Sequence, residues 1–295
     1  MRYLDPKNDL TFKKVFGEHP HLLRSFLNAM LPLPPDRQVV SLQYLTPELV
    51  PQIPVMKNSI VDVRCVDASG RQFIVEMQML WTDSFFKRVL FNASKAYIKQ
   101  LKTSEHYHLL QPVYSLNLID ETFLADSKDF YHHYQIVNAA DTGRRIEGLE
   151  FVFVELPKFK PKNIVEKKLR VLWLRFLTEI QDNATEVPSE ILQDADIREA
   201  VECLQESAFS PAELEAYDRY WDRVRVERTL LADSHAQGEK VGLQKGLQKG
   251  LQKGREEGLE KGREEGLQEA LARMVASGIA EGDARKMLGL SNPST

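Results

Sequence analysis

Glycine recurs at positions 238, 242, 246, 250, 254, 258, 262 and 266, a strict period of four that takes eight of the fifteen glycines in the chain. Each interior glycine costs a helix roughly 1 kcal/mol against alanine, while the Lys, Glu, Gln and Leu between them favour one. A helical turn holds 3.6 residues, so a period of four drifts by about 40° per repeat. Leu243, Leu247, Leu251, Leu259 and Leu267 therefore wind around the axis rather than form one stripe. Residues 238–269 read as a marginal helix or an extendable linker and belong to no core. Glycine every fourth residue lets helix backbones approach, which would make the tail a homo-oligomer contact. The alternative is a solvated spacer grown by duplication. EALARMVASG and AEGDARKMLGLS are expected to form two short helices after it.

The chain has 295 residues, of which 43% are hydrophobic, enough for a core and too many for wholesale disorder. Its longest apolar runs are far short of a membrane span. MRYLDPKNDL lacks the apolar stretch of a secretory signal. Cys65 and Cys203 are too few for a disulfide framework or a cysteine-rich zinc site, so a reducing cytoplasm is the expected location. Charge is uneven: residues 1–110 carry 14 Lys/Arg against 10 Asp/Glu, whereas 164–237 carry 9 against 16. A basic front beside an acidic middle is compatible with a polyanionic substrate.

Residues 9–30 have helical apolar spacing with a break near Gly17 and Pro20, and LPLPPD ends the element. VVSLQYL (39–45), SIVDVRCV (59–66) and RQFIVEMQM (71–79) read as strands. Residues 84–102 read as a helix, and 112–119, 131–138 and 149–156 as further strands. Beyond Asn163 the pattern is helical, and Trp173, Phe176 and Leu177 at helical spacing are core candidates. This order implies an α/β core with a helical C-terminal half.

The chemistry concentrates in 59–79. Alternation puts Val61, Val63 and Cys65 on one face of a strand and Asp62 and Arg64 on the other. In the next strand Phe73, Val75, Met77 and Met79 share a face that Glu76 and Gln78 oppose. A three-residue loop with Gly70 left-handed would pair 67 with 71, set Val63 against Val75, and set Asp62 against Glu76. Opposed like charges destabilise a sheet, so a shared proton, a basic neighbour such as Arg64, or a divalent cation must offset them. Carboxylates with open positions suit Mg²⁺ or Mn²⁺. The plainer reading is an exposed hairpin face with salt-bridged acids.

An early helix, three strands with Asp on the second and Glu-x-Gln on the third, then a helix and another strand, resembles the PD-(D/E)XK nuclease core. More closely, the chain resembles the Rpn family of recombination-promoting nucleases, also described as transposases. The resemblance rests on DPKNDLTFKKVFGE with SFLNAML, IVDVRC, FIVEMQM, FFKRVLFNASKAY, PVYSLNLID and FVFVELPKF, in that order over about residues 5–160. It implies an α/β fold with a restriction-endonuclease-like core of mixed sheet flanked by helices over 1–160. An acidic helical segment (161–237), the repeat (238–269) and a short helical pair (270–295) would follow.

The implied activity is Mg²⁺-dependent cleavage of DNA phosphodiesters, with Mn²⁺ as an alternative ion and a role in DNA recombination. By position, Asp62 and Glu76 match the metal-binding acids and the carbonyl of Met77 the third ligand. Gln78 stands where the wider superfamily has lysine; it orients a water but carries no charge. That leaves the cationic role to a second metal or to the helix at 84–101, which places Arg88, Asn92, Lys95 and Lys99 on one face so that Lys95 or Arg88 could reach the site. Arg88 and Lys99, with Lys13 and Lys14 of the first helix, are candidate DNA contacts; the alternative is a solvated basic stripe. His132 and His133 point to opposite strand faces and do not chelate together. The rival function is a catalytically weak interaction module that oligomerises through the tail.

Overall fold

The structure is a computed structural model that describes residues 2–48, 60–102, 104–161 and 168–290. Two compact units result, residues 1–226 and 227–295. The boundary falls inside a helix. The chain opens with α1 (Asp9–Glu18), whose N-cap Asn8 accepts from Leu10 N–H at 2.9 Å. A break at His19 and a proline in the first turn start α2 (Pro20–Met30). Phe12 and Phe16 of α1 and Phe26 of α2 form an aromatic cluster with Trp173 and Phe176. Trp173, Phe176 and Leu177 are fully buried, on α4 (Lys168–Glu179).

Six strands form one mixed sheet: β1 (Leu42–Tyr44), β2 (Val63–Asp67), β3 (Gln72–Gln78), β4 (Val113–Ile119), β5 (Tyr131–Asn138) and β6 (Asp141–Glu155), in the order β1-β2-β3-β4-β6-β5. The β3–β4 and β4–β6 pairs are parallel and the others antiparallel. The parallel β3–β4 pair needs a crossover, which α3 (Ser84–Ile98) supplies by packing back on the sheet. Ile74 and Val113 of the sheet meet Ala93 and Ala96 of α3, small residues that let the helix sit close. Strand β3 is central, and Gln72 through Met77 are all buried.

Strand β6 is longer than the apolar run at 149–156 suggests. Residues 141–147 continue it as an exposed arm paired with β5, where polar side chains on both faces hide the strand from a hydrophobicity pattern. Strand β1 is shorter than 39–45, because Val39 is tied to α2 by hydrogen bonds in both directions with Asn28, at 2.8 and 2.9 Å.

Helix α5 (Ala195–Glu202) is capped by Asp194, which accepts from Asp196 and Ile197 N–H. Helix α6 (Pro211–Ala276) follows. Tyr217 near its start is buried; its hydroxyl accepts from Asp5 N–H and donates to Asp182, each at 2.9 Å. Helical residues up to 226 thus belong to the same unit as the sheet. In the second unit the whole glycine repeat is helical, and among the described residues nothing beyond the helix's own backbone lies within 4 Å of where a Cβ on any of its eight glycines would stand. Leu243, Leu247, Leu251 and Leu259 are 65–74% exposed, as the winding of a period of four requires. The segment EALARMVASG is not a separate helix: α6 runs to Ala276, and among the described residues α7 (Glu281–Met287) follows.

Candidate active site

The β2–β3 hairpin sets the geometry. Gly70 has φ +84°, and Asp67 N–H donates to Arg71 O at 3.0 Å. The register is then Val63 opposite Val75, Arg64 opposite Ile74 and Cys65 opposite Phe73, as the apolar faces and the turn require. Asp67 locks the loop: Oδ1 accepts from the N–H groups of Ser69 and Arg71, each at 3.0 Å. Oδ2 pairs with Arg71 Nε at 2.7 Å and Nη2 at 2.6 Å. Sequence reading misses this buried pair, whose only signal is two charges flanking a tight turn.

The regular strand β2 begins at Val63, one residue after Asp62. Antiparallel pairing would send the N–H of Met77 to the carbonyl two residues before Val63. Instead the Asp62 carboxylate takes it, Oδ2 accepting from Met77 N–H at 2.6 Å. Among the described residues, no donor meets the other Asp62 oxygen. In an extended strand the C=O of a residue points to the same side as its N–H, so the Met77 carbonyl faces the same gap.

Glu76 lies on the α3 side of the sheet. That face is covered, not exposed, and Glu76 is only 5% accessible. Its Oε1 accepts from Asn92 Nδ2 at 3.0 Å and its Oε2 lies 3.5 Å from Arg88 Nη2. The same Arg88 nitrogen donates to Gln78 Oε1, while Gln78 Nε2 donates to Leu80 O at 2.7 Å. Asp62, Glu76, Met77, Gln78, Arg88 and Asn92 line a cavity of about 760 Å³.

Burial, mainly, pushes the Asp62 carboxyl up to about 7, with the negative charges of Glu76 and Asp9 adding to it and the Met77 N–H and Lys13 opposing. Burial also raises Glu76, against the hydrogen bond from Asn92 and the Arg88 charge. The two acids disfavour each other's ionisation, so a cation between them would be favourable. The side-chain oxygen of Asn92 is buried without a partner, a further acceptor turned to no protein donor.

The polar side of α3 is solvated only in part: Asn92 is 1% and Lys95 4% accessible, whereas the Arg88 side chain is 50% accessible. Lys95 stands with its ammonium 4.9 Å from the Phe91 ring centroid, and burial lowers its pKa. It is not among the described residues lining the cavity, whereas Arg88 is. Lys99, at the end of α3, is lowered by burial and by the charges of Arg64 and Lys95. Lys13 pairs with Asp9 at 2.7 Å and bears electrostatically on Asp62. Lys14 is turned elsewhere: it donates to Ala208 O at 2.8 Å and sits 4.2 Å over Phe209. His132 meets the buried Glu155 and His133 meets Glu150, both at 2.8 Å, on opposite strand faces. Arg64 does not reach the acid pair; it donates to Gln72 Oε1 at 2.9 Å. Asn92, in sequence one member of a basic face, has a role that sequence reasoning misses; a lone Asn there carries no pattern of its own.

Among the described residues no cluster of three His, Cys, Asp or Glu side chains is placed to hold a metal ion. No helix of the described residues is long and apolar enough to cross a membrane. A family described as PD-(D/E)XK nuclease family transposase matches residues 6–229. No curated protein and no solved structure matches the chain.

Proposed function

This chain belongs to the PD-(D/E)XK nuclease family transposases, and we propose from that premise that it is a metal-dependent DNA endonuclease of the Rpn type. The observation that carries the reading is the convergence of Asp62, Glu76 and Gln78 on one cavity, with both carboxylates raised by burial. Asp62, Glu76 and the Met77 carbonyl would hold the ion: buried like charges call for a cation, and an oxygen-only donor set suits Mg²⁺ or Mn²⁺. When bound, such an ion lowers the pKa of a water and offsets charge on the phosphate.

The chain's own residues supply the rest. Asn92 holds one Glu76 oxygen and so fixes the carboxylate plane. Gln78 is oriented at both ends, its nitrogen on Leu80 O and its oxygen under Arg88. An amide oxygen has two lone pairs, so the second can accept from the attacking water and aim it. Lys13 and Lys99 are proposed to contact the DNA backbone, with the cell interior as the place of action and the tail as a homo-oligomer arm.

The test is conversion of supercoiled plasmid to nicked and linear forms. Cleavage should require Mg²⁺ or Mn²⁺ and stop with EDTA. Equal cleavage in EDTA, or none with either ion, would overturn the reading.

A further inference from the structure

Hydrolysis of a phosphodiester at this site brings together two carboxylates and a phosphate, three negative charges, of which one divalent ion offsets two. Gln78 is neutral, so a residual negative charge needs a protein cation that touches the reacting region. We propose that Arg88 is this cation: it contacts a non-bridging oxygen of the scissile phosphate and holds the Gln78 carbonyl oxygen toward the attacking water. The inference rests on the nuclease reading above.

Three observations carry it. One guanidinium nitrogen bridges Gln78 Oε1 and Glu76 Oε2, so Arg88 already spans the water-orienting group and one proposed metal ligand. The guanidinium lies 4.8 Å from the ring centroid of Phe85, a fully buried residue one turn earlier on α3. That contact fixes the group by cation–π attraction and limits its rotamers. The Arg88 side chain nevertheless remains 50% accessible, and it lines the cavity. Arginine has five N–H donors, and the two contacts above use a single nitrogen, leaving others for an incoming oxygen.

Its neighbours fit less well. Lys95, further along the helix, is buried beside Phe91. Lys87 lines the same cavity, but no contact joins it to Glu76 or Gln78. Arg88 takes part in no proton transfer. Water adds its hydroxyl to phosphorus, one P–O ester bond breaks, and a proton ends on the departing alkoxide, while the guanidinium keeps its charge throughout.

The experiment compares full-length Arg88→Ala, Arg88→Lys and parent in three readouts: steady-state plasmid cleavage, Mn²⁺ binding followed by electron paramagnetic resonance, and cleavage with millimolar guanidinium added. Arg88→Ala should lower kcat by about 10²–10³-fold, the loss typical of a group that stabilises transition-state charge, with KM within a few-fold. Mn²⁺ should bind at least as tightly as in the parent, because a positive charge beside Glu76 has been removed. Added guanidinium should restore about ten-fold of the lost rate in Arg88→Ala. Arg88→Lys should fall between, keeping the charge but not the fork. A parent-like kcat in Arg88→Ala would overturn the proposal, as would a raised KM at unchanged kcat, the mark of an ordinary backbone contact. Weakened Mn²⁺ binding together with lost kcat would also overturn it, because Arg88 would then merely position Glu76. If Arg88→Ala loses the parent circular dichroism spectrum, Arg88→Lys carries the same three readouts. A parent protein that itself neither binds Mn²⁺ nor cleaves would fail the nuclease reading first, and this inference with it.

Discussion

Asp62 and Met77 are joined where the sheet ladder ends: the Asp62 carboxylate accepts the Met77 backbone N–H at 2.6 Å, in the place of a strand carbonyl. One side-chain bond thus extends the β2–β3 contact past Val63, the first residue of β2, and holds the Asp62 carboxylate at the residue that follows Glu76. Each of the two raised carboxylates also keeps a hydrogen-bond donor. The strand supplies a backbone donor to one acid and α3 supplies Asn92 to the other.

Asp62→Asn should keep the fold and lose the chemistry. The amide oxygen can still accept from Met77 N–H, but the charge that burial penalises is gone. Cleavage should fall by at least 10²-fold. In EDTA the thermal midpoint should rise by roughly 2–4 °C, the usual equivalent of about 1 kcal/mol in a unit of this size. A variant that is both cleavage-competent and less stable would contradict the assignment of Asp62 as an unrelieved buried acid.

Asn92→Ala removes the donor to Glu76 Oε1 without touching either acid. Partners of this kind typically cost 10–100-fold in metal affinity or activity. Cleavage should drop by that amount and Mn²⁺ binding should weaken, opposite in sign to the effect expected for Arg88→Ala. Unchanged Mn²⁺ binding would show that Asn92 is simple packing.

Asp5 lies outside the cavity lined by Asp62 and Glu76 and titrates in an accessible range. Burial raises its carboxyl to about 6, against Lys7 and with Asp120 and Asp182 adding to the rise. A raised carboxylate favours the protonated folded state, so this contribution is present below about pH 4 and lost as pH rises through 6. A rise of that size is worth at most roughly 3 kcal/mol. Asp5→Asn should therefore lose less stability than the parent between pH 4.5 and pH 8, read as urea midpoints by tryptophan fluorescence. Trp81, Trp173 and Trp221 all lie in the first unit, so the signal reports that unit. Parallel pH profiles for the two proteins would refute the linkage.

The repeat should be separable from the chemistry. The glycines of the repeat in α6 meet nothing beyond the helix's own backbone within 4 Å, and every residue of the site lies before position 100. Deleting 243–250 removes two repeats and should leave metal-dependent cleavage within a few-fold of the parent, while light scattering reports any change in oligomeric state. Complete loss of cleavage in a folded deletion variant would make the tail part of the active assembly.

The hairpin register is legible in the sequence because two independent constraints agree in parity: the apolar faces of 61–65 and 73–79, and a three-residue turn with Gly70 left-handed. A strand pattern has a period of two, so agreement of turn and pattern is enough to set Val63 against Val75, with Asp62 just beyond the last regular pair. Strands whose alternation is expressed in apolar residues are legible in the same way. The exposed arm at 141–147 is not, since nothing there contrasts inside with outside.

Periodicity also places Arg88, Asn92, Lys95 and Lys99 on one side of α3, but a helical wheel does not say which side meets the sheet. That is decided by long-range packing: Ala93 and Ala96 admit the sheet closely at Ile74 and Val113, and the roll of the helix then buries Asn92 against Glu76. The same roll stacks Arg88 on Phe85 at the mouth of the cavity and turns Lys95 inward. Sequence alone determined the register of the β2–β3 hairpin and the exclusion of the glycine repeat from the core, because each rests on local spacing. Which basic side chain of α3 lies beside Glu76 was decided only by the tertiary structure, because it depends on a helix orientation set by side chains distant in the chain.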